Sequence, residues 1–224
     1  MSKIQDNLQI IGAKLEKYST LYQREKNSVN LLAVSKRHTI DKIRKAYDSG
    51  QRAFGENYVQ ELLDKNQQLE DLSIEWHFIG PLQSNKAKKI AEVASWVHAV
   101  DRLKIAQRLS DNRPDDMPAL SICLQVNISA EESKSGISPK ELNTLALEIA
   151  QLPNLKLRGL MVIPAPEDKL SKQREVFAKV ATLMADLQET LTKNNISIKL
   201  DTLSMGMSND IEAAIAEGAT IVRV

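Results

Sequence analysis

Apolar positions along the chain fall into two kinds of segment that alternate. Near the start, Ile4, Leu8, Ile11, Leu15 and Tyr18 recur every three or four residues, the spacing of one helix face, and predict a helix over 3–26. Residues 30–35 (NLLAVS) then make a short apolar run of strand length. The alternation continues to the end of the chain. Strands are predicted over 30–35, 52–55, 74–79, 96–100, 120–127, 155–162, 200–204 and 220–224. Helices are predicted over 40–49, from beyond Gly55 to about 70, and over 85–93, 102–110, 139–151, 171–194 and 210–217. Thr39 can cap the second helix and Gly50 end it. Ser138, Pro139 and Glu141 read as a capping box with proline in the first helical position, and Gly218 closes the last helix.

Eight strands alternating with seven helices, with one further helix in front, predict an α/β fold: a (β/α)8 barrel of the TIM type, one domain over 1–224, whose outer ring is completed by the extra N-terminal helix. Several strands are apolar on both faces, as parallel strands covered by helices are. The alternative is a doubly wound open sheet. It would usually carry a glycine-rich first turn, and Ser35-Lys36-Arg37-His38-Thr39 has no glycine.

Composition narrows the function classes. Lys and Arg number 30 against 29 Asp and Glu, so no global field draws the chain to nucleic acid or a membrane surface. No apolar run approaches the ~18–20 residues of a membrane span, and the polar first nine residues lack a signal-peptide core. The expectation is a cytoplasmic protein with no nucleic-acid or membrane partner. With no long apolar stripe left over, it is expected to be a monomer. The one cysteine, Cys123, sits in a strand and is expected to be a buried thiol.

In such barrels the chemistry lies at the C-terminal ends of the strands. Lys36 follows the first strand and shares parity with Leu32 and Val34, so it can point into the barrel mouth; an amine near apolar walls and other cations is a better nucleophile for a carbonyl. It can equally be a surface lysine. The loop after the seventh strand, Ser204-Met205-Gly206-Met207-Ser208, has a glycine that allows close backbone approach to a ligand. Ser208 or Asn209 can cap the next helix, where an anion is favoured, or the loop is an ordinary capped turn. Arg223 shares parity with Ile221 and, if buried, needs an acceptor such as a ligand or Glu56; a solvated strand end is the alternative. Asn57 can meet a ligand or cap a helix, and Lys134 lies in a polar loop. His77 and His98 alternate with apolar residues and read as strand residues rather than ligands. No metal-ligand spacing, Walker loop or nucleophile elbow is present.

Taken in order, Ala33-Val34-Ser35-Lys36, the run from Phe54 to Glu61 (FGENYVQE), the run from Trp76 to Lys86 (WHFIGPLQSNK), Val126-Asn127-Ile128 with Ser133-Lys134-Ser135-Gly136, Gly159-Leu160-Met161 and the run from Leu203 to Asp210 (LSMGMSND) resemble the pyridoxal phosphate homeostasis (YggS/PROSC-like) family over nearly the whole chain. The resemblance implies a fold-type III barrel like the N-terminal domain of alanine racemase. It implies that Lys36 holds pyridoxal 5′-phosphate (PLP) as a Schiff base. It implies phosphate near Ser204, Met205, Gly206, Met207 and Ser208, Arg223 beside the pyridine nitrogen, and Asn57 and Met161 lining the pocket. Lys134 matches a lysine linked to cofactor exchange. Family members continue past the Ile-Val-Arg-Val segment with a glycine-containing stretch, whereas this chain stops at Val224. Part of the phosphate cradle is therefore expected to be missing and the eighth strand to be short and weakly anchored.

The resemblance implies a carrier that buffers PLP and delivers it to PLP-dependent apo-enzymes, rather than a catalyst. An amino-acid racemase needs acid/base groups on both faces of the substrate carbon, which alanine racemase completes with a second domain and a partner subunit. A minimal PLP-dependent racemase, a class I aldolase-type lysine enzyme and an interaction-only scaffold are the alternatives.

Overall fold

The computed structural model describes residues 3–129 and 135–224. Eight parallel strands close into a barrel in sequence order: β1 (Asn30–Val34), β2 (Ala53–Glu56), β3 (Glu75–Phe78), β4 (Trp96–Val100), β5 (Leu120–Gln125), β6 (Leu155–Met161), β7 (Thr202–Ser204) and β8 (Ile221–Arg223). Among the described residues, eight α-helices surround it: α1 (Lys3–Leu21), α2 (Ile40–Asp48), α3 (Val59–Gln68), α4 (Ala87–Ala91), α5 (Leu103–Asp111), α6 (Leu142–Ile149), α7 (Leu170–Lys193) and α8 (Ile211–Ala216). The predicted fold class is therefore the one observed. α1 packs between α2 and α8 and fills the place in the ring beside β8 and β1. No helix of the described residues is long and apolar enough to cross a membrane.

Boundaries moved where tertiary contacts outweighed local signals. α1 stops at Leu21 because Gln23 turns left-handed (φ +52°), letting Tyr22 bond Glu212 at 3.0 Å and Arg24 bond the Ile215 carbonyl at 2.9 Å. α6 begins at Leu142, not Pro139: the Ser138 hydroxyl donates to Glu141 (2.6 Å) instead of accepting from the helix, so only the return half of the capping box forms. β8 is three residues long yet bonded on both flanks, with Leu32 of β1 opposite Arg223 and Ser204 of β7 opposite Ile221.

The main apolar core lies between strands and helices, where Phe54, Phe78 and Phe177 are fully buried. Each such side chain stabilises the fold by about 1.5–3 kcal/mol. Smaller clusters fill the barrel, Leu32 with Ile79 and Ile221, and Trp96 with Ala99, Cys123 and Met161. Cys123 is buried as expected, and burial pushes its thiol up to about 12.

Two features fix the rim at β1–β3. Gly80 lies so close to the Asn57 backbone that a Cβ would stand 2.1 Å from its carbonyl oxygen. On the helix side of β2, Lys65 of α3 is buried and donates to Glu56 (2.7 Å), Glu61 (2.6 Å) and the Ser35 carbonyl (2.7 Å). Ser35 Oγ also donates to Glu56 (2.6 Å), and Glu61 accepts from the Arg37 N–H (2.5 Å). The turn that carries Lys36 is thus held on both sides by one buried ion network, with Arg37 at φ +62°. Burial raises the Glu56 carboxyl above its ordinary range, against the pull of Lys65 and Ser35.

Lys65→Met leaves the Glu56 carboxylate buried without its cation and is expected to destabilise the protein by about 3–5 kcal/mol, read as a shift in the urea midpoint. Gly80→Ala forces Cβ into backbone and is expected to cost about 1–3 kcal/mol, read as a lower Tm.

Candidate functional site

The C-terminal mouth of the barrel gathers most of the residues singled out from sequence. Lys36, two positions beyond inward-facing Val34, is exposed there. Its apolar surroundings are the residues below it, Leu32 and Val34, rather than walls around the amine. β1 pairs with β8, Leu32 standing opposite Arg223, so Lys36 leaves the end of the strand next to the one that carries Arg223.

Arg223 is buried and inward-facing, as its parity predicted. Glu56 is not its partner, because that carboxylate points to the helix side and is taken by Lys65. Nη1 donates instead to the Ser204 carbonyl (2.6 Å) and Ser204 Oγ (3.0 Å), and Nη2 to the Val162 carbonyl (2.9 Å). Burial lowers the guanidinium to about 10, still a cation at neutral pH. Three of its five N–H bonds end on these acceptors; Nε–H and one Nη2–H have none among the described residues.

The 204–208 loop sits differently from expectation. Ser204 is buried beneath Arg223 and Met205 packs into the outer core, so Met205 can offer the mouth only backbone. Gly206 (φ +95°) turns its bare side toward α8, where a Cβ would stand 2.5 Å from Ala214 Cβ, so close packing against a helix already requires glycine here. Neither Ser208 nor Asn209 caps α8. Asp210 occupies that position, and its carboxylate accepts from the Met207 N–H. Burial raises the Asp210 carboxyl. Met207 and Ser208 are exposed, and the backbone N–H groups of Gly206 and Ser208 have no acceptor among the described residues. Two donors therefore remain for an anion.

Asn57 stands at the end of β2 with Oδ1 buried and unpartnered. Met161 is fully buried on β6, one residue before the carbonyl that holds Arg223. Lys134 lies outside the described residues.

Sequence reasoning passed over the polar interior of the barrel. His77 and His98 are strand residues, as read, but their rings are joined at 2.8 Å, with Glu75 beyond one and Ser204 beyond the other. The available signal was polar residues on the inward parity of two neighbouring strands. Lys65 was also missed, since a lysine on an amphipathic helix ordinarily reads as solvated.

The mouth thus offers a primary amine for a carbonyl, guanidinium N–H groups for a neutral acceptor and backbone N–H groups for an anion. Residues 7–224 match the family model described as alanine racemase, N-terminal domain. The chain is 51% identical over its whole length, and 94% of the relative's, to the pyridoxal phosphate homeostasis protein of Pseudomonas aeruginosa. It is 48% identical to the protein of that name in Escherichia coli, again over 100% and 94%. Among solved structures, PipY of Synechococcus elongatus with PLP bound is 39% identical, with a TM-score of 0.80 over 94% of this chain and 96% of that one. Alanine racemase of Clostridium difficile shares the fold at 14% identity (TM-score 0.71), over 97% of this chain and 55% of that one. A chain that matches along its full length in this way belongs to the alanine racemase N-terminal domain family and, within it, to the pyridoxal phosphate homeostasis proteins.

Proposed function

We propose that this protein binds pyridoxal 5′-phosphate at the barrel mouth and acts as a carrier that holds, buffers and hands on the cofactor without turning over a substrate. Lys36 is the attachment point. Arg223 donates to the pyridine nitrogen, the 204–208 loop receives the phosphate, and Asn57 and Met161 line the pocket. Lys134 assists exchange, PLP-dependent apo-enzymes receive the cofactor, and the carrier works as a cytoplasmic monomer.

The observation that carries this reading is an exposed primary amine just past the end of β1 together with, on the adjacent β8, a buried guanidinium that keeps two N–H groups uncommitted. When bound, PLP supplies an aldehyde that condenses reversibly with a primary amine. The chain's residues supply the rest. Gly206 and Ser208 offer N–H groups to an anion. Asn57 Oδ1, buried and unpaired, fits a polar edge of the ring. Arg223 remains a donor, which suits an unprotonated pyridine nitrogen and a weak electron sink.

Two observations support a carrier over a racemase. The relatives of nearly the same length are named homeostasis proteins, whereas the shared region is 55% of the alanine racemase chain. Both ring nitrogens of His77 and of His98 are engaged inside the barrel, so neither serves as an acid or base at the mouth.

Purified protein is expected to be yellow, and borohydride should fix one phosphopyridoxyl group on Lys36, located by peptide mass. Lys36→Ala should be colourless; unchanged colour sinks the assignment. A panel of amino acids should show no turnover that Lys36→Ala abolishes, and such turnover would replace the carrier with an enzyme. Arg223→Gln should raise the PLP Kd about ten- to a hundredfold, the scale of a lost charged hydrogen bond of ~1.5–3 kcal/mol, measured by spectroscopic titration.

A further inference from the structure

Between the bottom of the barrel and Arg223 runs an unbroken line of polar side chains. Glu75, half exposed at the start of β3, lies 2.8 Å from His77 Nε2. His77 Nδ1 lies 2.8 Å from His98 Nε2, and His98 Nδ1 lies 2.8 Å from Ser204 Oγ. His77, His98 and Ser204 are buried. Trp96 stacks on His77 with centroids 5.4 Å apart and rings within 6° of parallel. Arg158, paired with Asp201 at 2.8 Å, lies 4.6 Å from the Trp96 ring centroid.

The two ends of the line dictate its direction. A guanidinium only donates, so Ser204 Oγ accepts from Arg223 Nη1. Its hydroxyl proton is available to the other contact, His98 Nδ1. Burial, with His77 and Arg223 nearby, holds His98 well below its ordinary value, so the ring is neutral and its single N–H sits on Nε2. That N–H donates to His77 Nδ1. Burial also lowers His77, against the pull of Glu75, so its own N–H sits on Nε2 and donates to Glu75. A carboxylate only accepts, and the bond from His77 lowers the Glu75 carboxyl. With both rings neutral, the acceptor-only carboxylate fixes the polarity of every link, and the donor-only guanidinium at the other end fits it.

We propose that Glu75, His77, His98 and Ser204 form a one-way hydrogen-bond column that positions Arg223 for the ligand's ring nitrogen. With its proton committed downward, Ser204 Oγ presents a lone pair to Nη1. Both Nη1 hydrogens are then used, the guanidinium plane is fixed, and the uncommitted Nε–H and Nη2–H keep one orientation. With the opposite tautomer, His98 and Arg223 would both donate to Ser204 Oγ, leaving the hydroxyl proton without an acceptor in the line. His77 and His98 are positioning residues: they touch Arg223 only through Ser204.

The inference rests on PLP being held beside Arg223, and its test has one arm that needs no ligand. Nitrogen-15 NMR of the unliganded protein at neutral pH should show His77 and His98 neutral and protonated on Nε2; an Nδ1–H or charged signal from either overturns the column. In the second arm, His98→Leu and Ser204→Ala should each weaken PLP binding about tenfold, the scale of one buried hydrogen bond. The double variant should be no weaker than either single one, because both act through one link. Wild-type affinity in His98→Leu, or additive losses in the double variant, would refute the positioning role. His98→Gln, which can still accept and donate, should stay within about threefold of wild type. If wild-type protein takes up no PLP while the tautomers are as stated, the functional reading fails and the column stands.

Discussion

Closure of the barrel between β1 and β8 is the constraint on which the site depends. β8 contributes three residues, bonded to β1 on one side and β7 on the other. That short strand removes two sheet edges and sets Leu32 opposite Arg223. Lys36 and Arg223 lie far apart in sequence, and closure sets the strand that ends just before Lys36 beside the strand that carries Arg223. The turn holding Lys36 is tied to the helix layer by Lys65, and Arg223 is tied to the barrel axis through Ser204. The two halves of the site therefore rest on separate supports, one outside the sheet and one inside it.

The supports differ in physical character. Outside β2, opposite charges are brought together in a dry place: Glu56 with Lys65, which also meets Glu61. Such a network has little margin, because removing one partner leaves a bare buried charge. Inside the barrel, neutral imidazoles and a hydroxyl separate a cation at the top from a carboxylate at the bottom. Neutral links require less desolvation than ions, and their geometry selects a tautomer rather than balancing a charge.

The order of elements was legible in the sequence because hydrophobic periodicity is local. So was the inward parity of Arg223, and the places of Lys36 after β1 and of the 204–208 loop after β7. Partners were not legible, because they come from other strands. Glu56 was a plausible acceptor for Arg223 until the barrel turned it outward to Lys65. Ser208 and Asn209 were as good caps as Asp210, and the fold chose Asp210. Met205 and Gly206 read as ligand contacts, yet one side chain faces the outer core and the other position is bare because Ala214 crowds it. The histidines looked like ordinary strand residues because each local pattern was apolar; their meaning arises only where β3, β4 and β7 converge.

The buried state of Cys123 has a consequence for an aldehyde-handling protein. A thiolate adds readily to aldehydes, and one exposed near the mouth would compete with the amine of Lys36 for the same carbon. The chain's one sulfhydryl lies instead among Trp96, Ala99 and Met161, protonated until about pH 12. It is shielded from hemithioacetal formation and from oxidants alike, so the chemistry of the mouth is left to nitrogen.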